Sequence, residues 1–273
     1  MSGVIKASTA VQKICNGWRV RFHVQNLSAL TICVSLKRKS NAVLVRFEKG
    51  IARQEVVMEN DEHNGVQLWE NGPYWATTNI GAERPEDYGN YFWWGDTVGW
   101  APNAGGDGWV ASDGSGKTHE FYDRENCTPT DNKTVDQLKS LGYVDASCNL
   151  TAEHDAATQH WGGGWRMPTR DECIALCDNC DWTWTTRNDV EGYVVKGRGA
   201  FSANRIFLPA AGYGRRSDFR DAGIYGSYRT STPHSNSYLV WLLDFSSDCY
   251  CPISVSSRFD GCPVRAVRGF VQQ

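Results

Sequence analysis

Three closely spaced cysteines form the pattern in this chain that is most suggestive of chemistry. Cys173, Cys177 and Cys180 have Cys-x3-Cys-x2-Cys spacing, which is the spacing that holds an iron–sulfur cluster in radical enzymes. Such a cluster needs three thiolates that converge on the iron atoms. The preceding Thr169-Arg-Asp-Glu172 is a capping box, which predicts a helix that carries Cys173 and Cys177. We therefore interpret the pattern as a cysteine-lined helix end and expect neither an iron–sulfur cluster nor a zinc site.

Other patterns of metal or phosphate chemistry are weaker. The six histidines are scattered, and none stands in the His-Glu-x-x-His order of a zinc peptidase. The glycine-rich segment 161–169 lacks the Lys-Ser/Thr pair with which phosphate loops bind nucleotides. Asp107 and Asp113 offer oxygen ligands for a hard cation, but their Gly- and Asn-rich surroundings favour a solvated loop. We expect no catalytic residue, no metal and no cofactor.

The composition excludes two classes of function. The 273 residues carry a net charge of −3, which is not the basic balance of a nucleic-acid-binding protein. The best candidate for a membrane segment, residues 27–36, is too short to cross a bilayer and starts too late for an ordinary signal peptide. The ten cysteines are unevenly spaced, so we expect most thiols to be free. We therefore expect no nucleic-acid partner and no membrane span.

The elements that position these residues fall into two regions. Residues 1–65 hold short β-branched runs bounded by polar residues, as strands are. A polar linker follows, and we place the boundary between an N-terminal β-rich segment, 1–65, and a main domain, 66–273, near His63–Gly65. Within the main domain, residues 95–134 are rich in Gly, Asp and Asn, which predicts a long surface excursion.

Two helices and several strands are predicted in the main domain. The first helix runs from about Thr151, as its cap, to Trp161, and three glycines stop it. The second follows Pro168 and ends near Asn179. The continuous apolar run 206–212 predicts a central strand that is covered on both faces. Because no βαβ alternation occurs, we predict an α+β fold with mixed or antiparallel sheets and long loops.

The segment 223–268 contains two kinds of residue. Trp241, Leu243 and Phe245 stand at every second position, which is typical of a half-buried strand. The remaining side chains have little in common, and that favours a recognition surface over a catalytic site. The candidate ligand-binding residues are Asp218, Phe219, Arg220, Arg229, His234, Ser235, Asn236, Ser237, Tyr238, Leu239, Asp248, Cys249, Tyr250, Cys251, Ile253, Ser254, Phe259, Asp260 and Cys262.

Five separated motifs resemble a known family. They are "YWATTNIGAERPEDYGNYFWWGD", "EHDAATQHWGGGWRMPTRDE", "CDWTWT", "IFLPAAGYG" and the closing Gly-x-Pro-Val-Arg-Ala-Val. In this order they are similar to the Fibrobacter succinogenes major paralogous domain family, over about Val66 to Phe270. The resemblance implies a C-type-lectin-like fold, related in shape to formylglycine-generating domains. Residues 1–65 lie outside it.

A narrower resemblance implies how such a protein is used. In some members the C-terminal strands are the variable region of a diversity-generating retroelement, which rewrites adenine-containing codons and retargets a ligand-binding surface. The chain has "SYRTS" where the family usually has "YYWSS", so Arg229 replaces a familiar Trp. The resemblance implies a bacterial or phage protein at a cell surface, secreted or on a phage particle, with a protein or glycan ligand.

Three alternatives remain open at the level of sequence. The chain could be a fixed carbohydrate- or cell-envelope-binding module, or a structural envelope protein without a ligand. A formylglycine-type oxidoreductase would need a copper-binding cysteine pair. Cys249 and Cys251 are the nearest candidates, but neighbours one residue apart on a strand point to opposite faces. The ligand and the oligomeric state are not encoded in any pattern that we recognise.

Overall fold

The chain divides into two units in the computed structural model, residues 1–62 and 63–273. The structure describes residues 63–105, 107–121, 130–249 and 253–269, together with the backbone of five strands before residue 63. The predicted boundary near His63–Gly65 lies at this division. In the first unit, β1, β2 and β5 form one antiparallel sheet, and β3 pairs with β4. These strands are Ser8–Ile14, Gly17–His23, Leu30–Val34, Val43–Phe47 and Val56–Glu59.

Seventeen short strands are described in the second unit. The first six, β6 to β11, are Gly65–Gln67, Tyr74–Ala76, Tyr91–Phe92, Trp100–Pro102, Trp109–Ala111 and Thr118–His119. Strands β12 to β22 are Trp165–Arg166, Cys180–Arg187, Val190–Gly197, Arg205–Pro209, Tyr213–Arg215, Asp218–Arg220, Tyr225–Pro233, Leu239–Ser246, Ile253–Ser257, Cys262–Pro263 and Val267–Arg268.

Three α-helices accompany these strands in the described part of the chain. They are α1, Val135–Ser140, α2, Ala156–Trp161, and α3, Arg170–Asn179, with short 3-10 helices at Ala152–His154 and Gly199–Phe201. The described part is thus mostly β-sheet with few helices, in line with the predicted α+β class. No helix among the described residues is both long enough and apolar enough to cross a membrane.

The C-terminal strands pair with strands from the beginning of the second unit. Strand β22 lies between β12 and β7 in the order β12-β22-β7-β6, and β21 pairs with β8 at the edge of a five-stranded sheet. Strands β13, β14 and β15 form a second antiparallel layer, and β18, β19 and β20 form a third. The last forty residues therefore complete the frame as well as carrying the predicted surface.

Helix α3 begins and ends as predicted. The Thr169 hydroxyl accepts a bond from the Glu172 N–H at 3.2 Å, and the Thr169 N–H donates to Glu172 Oε2 at 2.9 Å, which completes the capping box. The helix predicted over 151–161 is divided, because Asp155 caps α2 by accepting from the Thr158 N–H at 2.8 Å. Gly162 ends α2 at φ 61°, a conformation that glycine adopts without strain.

Two expectations about the elements were wrong. Strand β15 stands at the edge of the β13-β14-β15 sheet and is not central. Its residues Ile206, Phe207 and Leu208 are nevertheless all buried. The apolar run thus correctly predicted that both faces of the strand are covered, but not its position in the sheet. The stretch 95–134 is not only a surface excursion, because it contains β9, β10 and β11 and the fully buried Trp109 and Phe121. Helix α1, which follows it, was not predicted, although Thr134 and Gln137 form a capping box.

Trp165 anchors one of three clusters of buried apolar residues in the second unit. It is 1 % exposed and packs with Trp94, Met167 and Val264 among others. A Cβ added at Gly65 would stand 2.9 Å from its ring, so the indole closes tightly over the backbone of β6. The other two clusters lie around Phe245 and around Trp109.

We expect Trp165→Ala to lower the free energy of unfolding by roughly 3–5 kcal/mol, because it leaves a cavity where a large aromatic ring packs. The measurement is urea unfolding followed by circular dichroism. Trp184→Ala is the control, because Trp184 is only half-buried. Equal losses for the two variants would contradict the assignment of Trp165 to the core.

Candidate functional site

Four of the candidate ligand-binding residues are buried, and their assignment to the surface was wrong. Arg229 is 0 % exposed, Cys262 1 %, Asp260 3 % and Phe259 8 %. Each has a structural reason to be inside. Cys262 pairs with Phe92 in the β21–β8 ladder, and the Phe259 carbonyl accepts a bond from Trp93 Nε1 at 2.7 Å. Asp260 Oδ2 accepts from the Ser256 hydroxyl at 2.8 Å.

Arg229 links β18 to the turn that follows β20. Its Nη2 donates to the Ser257 carbonyl at 2.8 Å and also to the Asp260 carbonyl. Its Nε and Nη1 atoms are shielded from solvent and reach no acceptor among the described residues. Arg229 therefore fixes the turn from the inside of the fold and is not accessible to a ligand.

Two further buried arginines act in the same way. Arg258 donates to the carbonyls of Thr130 at 2.8 Å and Lys133 at 2.9 Å, and its guanidinium lies 5.0 Å from the centre of the Trp94 ring. Burial lowers the pKa of Arg258 to about 10. This value is still well above neutral pH, and the guanidinium remains protonated. The segment 130–133 is thereby attached to the C-terminal strands.

Arg265 belongs to the closing Pro-Val-Arg motif. It donates to the carbonyls of Ala76 and Phe207, each at 3.0 Å, and to Asn79 Oδ1 at 2.8 Å. Burial lowers the pKa of Arg265 to about 10 as well. One guanidinium thus joins segments that are far apart in sequence, which explains why this motif needs an arginine at that position.

The other candidate residues lie at three separate places. In β17, Asp218, Phe219 and Arg220 are all exposed, and the Arg220 Nη2 to Asp218 Oδ2 distance is 2.6 Å. In the β18–β19 turn, Ser235, Asn236 and Tyr238 are exposed, while His234, Ser237 and Leu239 are half-buried. After β19, Asp248 and Cys249 are exposed, and Ile253 and Ser254 in β20 are half-buried. Tyr250 and Cys251 lie outside the described residues.

These places do not form a single patch. In the β18-β19-β20 sheet, Tyr225 pairs with Ser246 at one end and Leu239 pairs with Ser257 at the other. Strand β19 has eight residues, and at ~3.3 Å per residue its ends are roughly 23 Å apart. The 234–238 turn therefore lies at the opposite end of the sheet from Asp248.

His234 has a structural contact as well as exposed neighbours. Its ring lies 4.8 Å from that of Trp241, and its Nδ1 accepts a bond from the Asn236 N–H at 3.0 Å. His234 thus helps to shape the turn that presents Asn236 and Tyr238.

A polar face runs along one side of the three-stranded sheet. Leu243 and Phe245 point into the core, so Asp244 points to the other side, in register with Ser227. Ser254 and Ser256 follow the same alternation on β20. We call Ser227, Asp244, Ser254 and Ser256, with Arg215 beside them, the polar face. Only Ser254 was predicted, although the alternation of Leu243 and Phe245 already indicated that Asp244 points outward.

Short-range bonds order this face. The Ser227 hydroxyl donates to Asp244 Oδ1 at 2.8 Å, and Arg215 Nε lies 3.7 Å from Asp260 Oδ1. Burial raises the pKa of Asp244, although the bond from Ser227 opposes the shift. The face is therefore only partly open to solvent. Ser227 is 7 % exposed and the other members are half-buried. Val240 and Leu242, on the same side of β19 as Asp244, are buried.

No group of three or more His, Cys, Asp and Glu side chains among the described residues could hold a metal ion. Cys177 is in a disulfide, so the Cys-x3-Cys-x2-Cys segment cannot supply three thiolates. Burial raises the pKa of Cys180 and of Cys262 to about 12, which keeps both thiols protonated. The described cysteines apart from Cys177 are free thiols, among them the exposed Cys249. The expectation of mostly free thiols thus holds for the described residues with Cys177 as the exception.

Comparisons with known proteins identify no relative. No family model, no curated protein and no solved structure matches this chain. The residues of the site therefore carry the functional assignment.

We expect Arg229→Met to lower the free energy of unfolding by roughly 2–4 kcal/mol, because two buried carbonyls lose their donor. Arg220→Met is the matched control, since an ion pair exposed to solvent contributes little to stability. Urea unfolding of both variants provides the comparison. If Arg229→Met is as stable as Arg220→Met, Arg229 has no anchoring role.

We expect Asp244→Asn to change how stability depends on pH. The raised pKa of Asp244 means that its contribution to stability is complete below the unfolded pKa of about 4 and is lost as pH rises through the folded value. Asparagine keeps the acceptor for Ser227 but cannot ionise. The melting temperature of the variant relative to wild type should therefore be higher at neutral than at acidic pH.

Thermal melts across this pH range check the expectation, with Asp248→Asn on the exposed loop as the control. A difference between Asp244→Asn and wild type that is constant with pH, or that falls as pH rises, would show that Asp244 does not titrate in this way.

Proposed function

We propose that the second unit is a ligand-recognition domain with a C-type-lectin-like fold, and that it binds its partner without catalysis. The observation that supports this most directly is the separation of roles in the C-terminal segment. Its buried arginines hold main-chain carbonyls, whereas exposed side chains such as Asp218, Asn236 and Asp248 take no part in that frame. Exposed residues of this kind can change without loss of the fold.

The proposed binding surface consists of the exposed residues of β17 and of the Asp248 loop, together with the half-buried polar face. Three apolar side chains in and after β17 are exposed, Phe219, Ile224 and Tyr225. Rigid aromatic groups among hydroxyl and charged groups are characteristic of recognition surfaces.

We propose that this surface is the variable region of a diversity-generating retroelement, as in the family that the sequence resembles. The exposed members are Asp218, Phe219, Arg220, Asp248 and Cys249, and they are extended here by Asp244 and Arg215. The 234–238 turn is a second variable patch at the other end of the sheet. Buried Arg229, Phe259, Asp260 and Cys262 are no longer part of the proposal.

The disulfide of Cys177 supports a location outside the reducing cytosol. Disulfides persist in secreted and surface proteins and are rare in cytosolic ones. This agrees with the proposed place at a cell surface, in the medium or on a phage particle.

Sequencing the encoding locus in several isolates tests the proposal. We expect a near-identical downstream repeat that differs at adenines, with substitutions among the exposed residues and none at Arg258 or Arg265. An identical C-terminal segment in every isolate, or substitutions spread evenly over buried and exposed positions, would contradict diversification and leave the fixed binding module.

A further inference from the structure

A cavity of about 580 Å³ lies apart from the polar face. It opens between the first half of α3, the loop before β7, and strands β18 and β19. Its volume falls within the ~300–1,000 Å³ that is usual for small-molecule sites. None of its lining residues is among the candidate ligand-binding residues, so it was not found from the sequence. The lining residues include Trp69, Asn71, Asn149, Arg170, Asp171 and Trp241.

Two half-buried tryptophans line the cavity, and both are held in place by neighbours. The Arg170 guanidinium lies 4.5 Å from the centre of the Trp241 ring. Trp69 lies directly over Gly72, where any Cβ would overlap the indole. Gln67 Nε2 fixes that loop by donating to the Gly72 carbonyl at 3.0 Å. Because both rings are immobilised beforehand, a ligand that packs on them loses little binding energy to ordering.

The polar groups of the wall include both donors and acceptors. Asn149 Oδ1 accepts from the hydroxyls of Thr232 at 2.7 Å and Ser231 at 3.2 Å, so its amide is fixed and its oxygen is already occupied. The Asp171 side chain is 86 % exposed, and its only ion pair among the described residues is with Arg170 at 3.1 Å. Arg170 Nε is shielded from solvent and has no acceptor among the described residues. Asn71 adds an exposed amide.

The charges of the wall balance. Arg170 offsets Asp171, and Glu172 is bound by Arg166, whose Nη1 and Nη2 lie 2.7 and 2.5 Å from its oxygens. An anionic ligand therefore meets no excess of positive charge. A wholly apolar ligand would remove the Arg170–Asp171 pair from water and give Arg170 Nε no acceptor, which is costly.

We infer that this cavity binds a neutral oligosaccharide. Sugar rings have apolar C–H faces that pack on indole rings, and their hydroxyl groups both donate and accept hydrogen bonds. The wall offers the Trp69 indole, the Trp241 indole with Arg170 over one of its faces, the exposed amide of Asn71 and the Arg170–Asp171 pair. The inference does not rest on the proposed function, because the cavity shares no residue with the proposed binding surface.

Titration calorimetry and tryptophan fluorescence on the full chain test the inference. The probes are cellotriose, maltotriose, mannotriose and chitotriose, with sialyllactose as the charged comparison. We expect at least one neutral trisaccharide to bind with a submillimolar dissociation constant. Asp171→Asn and Asn71→Gly change exposed side chains, and glycine keeps the positive φ of 60° at position 71, so both variants should keep the fold. Each should weaken binding about tenfold, or 1.4 kcal/mol.

Trp241→Ala should weaken binding and reduce the fluorescence response, with Trp69 still reporting from the cavity. Trp184→Ala is its control, because Trp184 is also half-buried but lies on β13 outside the cavity. The inference is overturned if no neutral trisaccharide binds at millimolar concentration, or if sialyllactose alone binds. It is also overturned if Asp171→Asn, Asn71→Gly and Trp241→Ala all bind like wild type. A loss of binding in Tyr238→Ala would then place the sugar at the β18–β19 turn.

Discussion

Hydrogen bonds from buried guanidinium groups to backbone carbonyls hold the C-terminal segment to the rest of the second unit. Arg265 reaches two strands, Arg258 reaches the 130–133 segment, and Arg229 reaches the turn after β20. An arginine offers five donors in a planar fork, so one side chain can bind several carbonyls where a lysine has a single ammonium group. Main-chain carbonyls are present whatever the neighbouring side chains are. The frame is therefore insensitive to the identity of the residues around it.

This division explains why one segment can be both core and surface. Along β19, Leu243 and Phe245 pack inside, and Asp244 faces outward between them. The turns at the two ends of the sheet present exposed residues that the frame does not use. The sugar-binding cavity lies on a different side of the frame, under α3, where the capping box of Thr169 fixes the first turn of the helix. One scaffold thus supports a surface free to change and a cavity whose rings are fixed.

Local signals in the sequence predicted local structure well. The capping box located α3, the glycine run ended α2, and the period of two identified the core face of β19. Burial could not be predicted in the same way. Arg229 and Asp260 look like surface residues, but their partners are carbonyls or hydroxyls brought close by the turn after β20. The cavity could not be predicted from the sequence for the same reason, because its wall combines segments near residues 70, 149, 171 and 241. Contacts between such distant segments are set by the tertiary fold.

The central claim is that the frame and the exposed residues are energetically independent. It is tested most directly by comparing the free energy of unfolding of two variants. One replaces Asp218, Arg220, Asn236, Tyr238 and Asp248 together by alanine, and the other is the single change Arg265→Met. We predict a loss within roughly 2 kcal/mol for the five exposed changes and a loss of about 3–5 kcal/mol for Arg265→Met. A larger loss from the five exposed changes than from Arg265→Met would contradict the account.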